Sequence, residues 1–168
     1  MNTLPIHRIH SAVIVATLGL LGLLLLRAAP PEPDREADRG ALLAHHEASL
    51  QAHRENNPEW FIRDRADEYI MVSRGEILRP TSEQTLARFK DYLGRTRFTE
   101  YRDLVPPVVR ISDDGTMGWI AVQVKIAGVQ TQPDGTEEKI DAVWAWVSMY
   151  EKHEGRWINT GNASNRRP

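Results

Sequence analysis

The chain contains no cysteine. Disulfides, thiolate nucleophiles and cysteine-ligated zinc are therefore excluded, while the redox compartment stays open, because a cysteine-free protein tolerates either environment. There is no excess of basic charge either. The 21 Lys and Arg residues face 23 Asp and Glu residues, interspersed along the chain, for a formal net charge of −2. No basic stripe marks a nucleic-acid partner, and aromatic residues without a basic groove do not make a single-strand binding surface. The glycines stand singly, so no phosphate-cradling loop is present. A GxSxG nucleophile elbow and internal repeats are also missing.

What is present is a globular composition, 41% hydrophobic and 26% charged over 168 residues, enough for one domain. An N-terminal leader precedes it. Ile9–Leu26 carries no Asp, Glu, Lys or Arg and is flanked by Arg8 and Arg27. Its length suits a helix that just spans a bilayer, and its inner part, Ala12–Leu26, suits a signal-peptide apolar region. Both readings export the remainder of the chain. The stretch LLRAAPPEP supplies the small residues of a cleavage site poorly, with Arg27 or Leu26 at the sensitive position. The expectation is an uncleaved membrane anchor; the alternative is a cleaved leader and a secreted or periplasmic domain. The organisation then reads as leader 1–27, linker 28–40 with several prolines and acidic residues, and a folded domain over 41–168.

Within the domain, Leu43, His46, Leu50 and His53 recur at helical spacing up to about Asn56. Pro58 opens a short helix, PEWFIRDR. DEYIMVSR and EILRP flank Gly75 as a hairpin. In PTSEQTLARFKDYLGR, Thr81 or Ser82 caps a helix, Leu86, Phe89 and Leu93 form its inner stripe, and Gly94 marks its end. Strand periodicity follows. TEYRDLVPPVVRIS is interrupted by Pro106–Pro107, MGWIAVQVKIAGV puts Ile120, Val122, Val124 and Ile126 on one face, and KIDAVWAWVSMYEK and RWINTGNAS are separated by the turn HEG. Helices first and long antiparallel strands last indicate an α+β fold.

This order, with Glu154-Gly155-Arg156-Trp157 before a last strand ending in Asn162-Ala163-Ser164, resembles the SnoaL-like branch of the nuclear transport factor 2 (NTF2)-like superfamily. ADEYIMVSRGEILRPTSEQTLARF resembles that branch's middle section, an acidic-aromatic strand, a glycine turn and a capped helix. The resemblance covers roughly residues 35–165. It implies a cone-like barrel, in which a curved antiparallel sheet wraps the N-terminal helices around a cavity open at one end, and a homodimer formed through the outer sheet face. Members include isomerases, cyclases and dehydratases as well as non-enzymatic binding and assembly domains, so the fold alone does not fix an activity.

The candidate chemistry starts with the histidines. HHEASLQAH is not the HExxH zinc motif. His46 and His53 are separated by roughly 10 Å of helical rise and cannot share one ion. No metal or other cofactor is expected. His46 is instead a candidate proton shuttle or polar anchor. Asp67 and Tyr69 alternate onto one strand face. Ketosteroid isomerase uses an aspartate base with a tyrosine in an apolar cavity, but these two do not match its motif residue by residue. Asp113, Asp114 and Asp134 sit in glycine turns and read as structural. On the strand 140–150, Trp144, Trp146, Ser148 and Tyr150 share one side and Val143, Ala145, Val147 and Met149 the other. With neither face polar, both are expected to be covered. The tryptophan face is core, pocket wall or interface. If it is a pocket wall, Trp60, Trp144, Trp146, Ser148 and Asn162 bind a small apolar molecule. The sequence thus supports a membrane-tethered binding module, an acid–base enzyme using His46, Asp67 and Tyr69, or a dimeric assembly domain.

Overall fold

The computed structural model describes residues 34–167. The apolar run Ile9–Leu26 lies outside the described residues, and among them no helix is long and apolar enough to cross a membrane. Three helices and seven strands follow in the order α1 (Arg35–Arg54), α2 (Trp60–Arg63), β1 (Arg65–Ser73), β2 (Glu76–Leu78), α3 (Ser82–Gly94), β3 (Thr96–Asp103), β4 (Val108–Ile111), β5 (Met117–Thr131), β6 (Glu137–His153) and β7 (Arg156–Arg166).

Helix α1 begins inside the stretch read as linker. The Asp34 carboxylate accepts a hydrogen bond from the Ala37 amide, and Glu36 and Asp38 place negative charge in the first turn. Both features stabilise a helix start. Of the expected inward stripe His46 and Leu50 are buried and His53 is half-buried, while Leu42 takes the place of Leu43. Asp38, Leu42, His46 and Leu50 are buried at spacings of four, whereas Leu43 is 37% exposed. Helix α3 follows the sequence closely. Thr81 accepts from the Gln84 amide at 3.1 Å and the Gln84 side chain accepts from the Thr81 amide at 2.9 Å, a complete capping box.

The strands form one sheet in the order β2-β1-β7-β6-β5-β3, with β4 also paired to β5. The path ends at β2 on one side and β3 on the other, so the sheet is curved but not a closed barrel. The expectation of a wholly antiparallel sheet is corrected at one place, where β1 pairs with β7 in parallel. Two hairpins turn on residues with positive φ, Arg74–Gly75 and Glu154–Gly155. Two successive left-handed residues twist a two-residue loop to match the strands it joins, and glycine adopts that geometry without steric cost.

The core lies between α1 and the inner face of β3–β5. Leu42, Leu50, Val109, Ile120 and Val124 are essentially fully buried, each contributing on the order of 2 kcal/mol by removal from water. The close approach of α1 requires Gly118, where a Cβ would stand 2.9 Å from Leu42 Cδ1. Polar ties fix the helix register. Arg39 and Arg54 donate to the carbonyls of Val109 and Tyr101, and buried Asp38 pairs with Lys152 and accepts from Trp157 Nε1 at 3.2 Å.

The outer sheet face is apolar in a continuous row. Val108, Ala121, Val147, Ala163 and Val72 are successive partners across β4, β5, β6, β7 and β1. Beside that row, Trp119 and Met149 pair with each other and are more than a third exposed.

Candidate functional site

Beyond the packed core, the sheet and helices enclose an open cavity of about 1080 Å³. Strand alternation decides which side chains enter it. Trp144, Trp146, Ser148 and Tyr150 all line it, so the tryptophan face of β6 is the concave one. Trp144 and Trp146 also pack against the edge of the core cluster. On β7, Asn162 lies opposite Ser148, and its amide donates to Ser148 Oγ at 3.4 Å. The β6–β7 register then shifts, so that Tyr150 pairs with Asn159 and Thr160 is passed over. A bulge of this kind re-aims the following residues, and here it brings Asn159 to the cavity wall.

The opposite wall is aromatic. Trp60 and Phe61 come from α2 and Phe89 and Tyr92 from α3. Phe61 and Phe89 stack at 3.7 Å between centroids, and Trp60 lies 4.7 Å from the His45 ring. Tyr69 and Met71 project from β1.

Three histidines of α1 complete the lining, each held differently. His46 is 4% exposed, and its Nε2 is 2.9 Å and 3.1 Å from the two carboxylate oxygens of Asp103. Nε2–H donates to that carboxylate, which fixes the orientation of the ring. His45 Nδ1 lies within hydrogen-bond distance of the Tyr150 hydroxyl, at 3.1 Å. Burial lowers the His45 pKa, with Asp64 opposing the shift. His53 stacks on Tyr101 at 4.3 Å and its Nδ1 donates to the Ser49 carbonyl at 2.7 Å. Burial takes its pKa down to about 4, against the raising effect of that hydrogen bond. The tyrosines move the other way. Burial raises Tyr69, partly offset by Arg88 and Arg65, and pushes Tyr92 and Tyr150 up to about 12. At neutral pH His45, His53 and the tyrosines are therefore uncharged, and they share the wall with charged side chains such as Arg65, Arg88, Lys125 and Asp141.

Of the residues singled out in the sequence, His46, Tyr69, Trp60, Trp144, Trp146, Ser148 and Asn162 share this one cavity. Asp67 is exposed and is not part of its wall, because the β1–β7 register shifts between Arg65 and Ile70 and breaks the simple alternation. His46 and Tyr69 make no hydrogen bond to one another among the described residues. Sequence reasoning missed Asp103, His45 and Arg88. Arg88 was legible in principle, since Thr85, Arg88, Phe89 and Tyr92 share one helical face. Asp103 had no signal, being 57 residues from its partner. The turn aspartates behave as read: Asp114 accepts from Ser112 and Thr116, which lowers its pKa to about 2. Among the described residues no three His, Asp or Glu side chains are placed to hold a metal.

Comparison of the whole architecture with solved structures gives consistent neighbours. An NTF2-like protein from Cytophaga hutchinsonii superposes with a TM-score of 0.60 at 17% identity, over 77% of this chain and 98% of that one. The fold is NTF2-like. A protein with a cystatin-like fold from Caulobacter vibrioides aligns at TM-score 0.59 and 19% identity, over 77% of this chain and 89% of the other. The association domain of C. elegans CaMKII aligns at 0.53 and 14%, over 77% and 96%. No protein-family model and no curated protein matches the chain. At these identities the NTF2-like likeness concerns the fold, and the chemistry has to be read from the cavity itself.

Proposed function

We propose that this is a binding module which takes a small, largely hydrophobic molecule into the NTF2-like cavity and is held at a membrane, outside the cytoplasm, by Ile9–Leu26. The observation that carries the reading is the cavity itself. About 1080 Å³ of open space is walled by Trp60, Trp144 and Trp146 together with polar and charged side chains, among them Ser148, Asn162, Arg88 and Asp141. Concave, mainly apolar sites with a few placed polar groups are the usual design for small organic ligands. The test is calorimetric titration with a panel of small apolar molecules. Saturable binding that disappears in Trp146→Ala supports the module, and indifference of the parent protein to the whole panel refutes it. The tether is tested by the intact mass of the membrane-bound protein, which should begin at the N-terminus of the chain.

Two observations support second readings. His46 with its Asp103 partner on the cavity wall has the form of a positioned general base, which favours an isomerase-, cyclase- or dehydratase-type enzyme. The apolar row Val108–Ala121–Val147–Ala163–Val72 favours a homodimer through the outer sheet face, in keeping with the structural neighbour that is an association domain.

A further inference from the structure

Charged side chains also line the cavity, Arg65, Arg88, Lys125 and Asp141 among them, and Arg88 stands in its aromatic corner. Arg88 reaches from α3 to the wall of β1, where its Nη1 lies 3.3 Å from Met71 Sδ and its guanidinium carbon 5.0 Å from the Phe89 ring centroid. A thioether is a weak acceptor and leaves most of the five guanidinium donors unused. The side chain is open to solvent, yet the surrounding protein desolvates it enough to lower its pKa. Among the described residues no carboxylate pairs with it; the phenol of Tyr69 and the like charge of Arg65 are its ionisable neighbours.

Its neighbour Arg65 is arranged differently. That guanidinium lies 4.4 Å over the Tyr69 ring and donates to Ser82 Oγ at 3.0 Å and to the Pro80 carbonyl. Arg65 therefore locks β1 to the start of α3 and holds Tyr69 in place, while Arg88 keeps a free fork beside the same tyrosine. Two carboxylates elsewhere on the wall are engaged, Asp141 by Lys125 and Glu138 by Gln132. The sheet places polar and apolar partners in register with the corner. Met71 pairs with Asn162, which pairs with Ser148, and Trp146 is the next inward residue of β6.

We infer that the cavity's ligand is a small organic carboxylate, with its anionic head on the Arg88 fork beside Tyr69 and Asn162 and its apolar body along Trp146 and Trp144. A guanidinium matches a carboxylate with two parallel charge-assisted hydrogen bonds, a pairing that a neutral isostere does not reproduce. The inference rests on the binding-module reading and names the ligand class that module takes.

The test uses the full-length chain in lipid nanodiscs, with empty nanodiscs as blank, and two isosteric probes, 4-phenylbutyrate and 4-phenylbutyramide, titrated by calorimetry. The acid should bind at least about tenfold more tightly than the amide, the lower end for a charge-assisted hydrogen bond. Arg88→Gln should remove that preference and leave the amide's affinity within about twofold, which also shows that the variant is folded. Arg88→Lys should keep part of the preference, since it retains the charge without the fork. Equal binding of both probes, or an Arg88→Gln loss shared equally by both, overturns the carboxylate inference and leaves the cavity reading standing. Absence of binding by either probe overturns both.

Discussion

Replacing His53 should make the domain less sensitive to acid. The ring is packed among Phe61, Phe98 and Tyr101, stacked on the last at 4.3 Å, and its pKa falls from 6.5 to about 4. Between those two values the unfolded chain binds a proton that the folded chain refuses. Stability from this group is therefore complete above pH 6.5 and is lost as the pH falls toward 4. Two and a half pH units correspond to about 3 kcal/mol at 1.36 kcal/mol per unit. His53 also lines the cavity, where water reaches part of the ring, so the expected loss is nearer ~2 kcal/mol after screening. The experiment is urea denaturation followed by tryptophan fluorescence at pH 7 and pH 4.5, for the parent and His53→Phe. Phenylalanine keeps the aromatic packing and forgoes only a bond to a helix carbonyl. The parent should lose about 2 kcal/mol more than the variant between the two pH values. Contributions from His45 and from the exposed aspartates occur in both proteins and cancel. Equal losses would show that His53 is not the buried neutral group described.

Gly118→Ala should destabilise the fold by about 1–3 kcal/mol, because the new methyl would press on Leu42 Cδ1 at 2.9 Å, Ile111 Cδ1 at 3.0 Å and the Arg110 carbonyl at 3.3 Å; an unchanged denaturation midpoint would refute the close α1–β5 approach. Thr81→Ala removes the hydroxyl half of the α3 capping box and should cost about 1 kcal/mol in the same assay. Because α3 carries Arg88, Phe89 and Tyr92 to the cavity, that variant should also weaken ligand binding, while Thr81→Ser should restore both stability and binding.

Local rules were legible where one physical period dominated. The two-residue alternation of Ile120, Val122, Val124 and Ile126 marked a strand face, and all four are buried. The hairpins were legible from Gly75 and Gly155, which sit where φ is positive. The α3 cap was legible as Thr81 or Ser82, and the reciprocal hydrogen bonds with Gln84 select Thr81. The start of α1 was hidden because Asp34-Arg35-Glu36-Ala37-Asp38 resembles a charged spacer until Asp38 is seen to be buried on Lys152 and Trp157. The Leu42 stripe lost to Leu43 in the sequence because both fit a helical period, and only the sheet decides between them. The candidate site was half legible. Trp144, Trp146 and Ser148 are neighbours by strand alternation, and the open question of which face they occupy is answered by curvature. Pairings that depend on chain crossings left no local trace: β1 beside β7, His46 beside Asp103, and Arg88 over Met71.

The central claim is that the tryptophan-walled cavity is a ligand site. Its most direct measurement is native mass spectrometry of the full-length chain, purified gently from its own host and released from nanodiscs, alongside Trp146→Ala. The account predicts a stoichiometric extra mass on the parent that is lost from the variant. A parent protein of bare polypeptide mass, or an extra mass retained equally by Trp146→Ala, would contradict it and return Trp144 and Trp146 to a purely structural role.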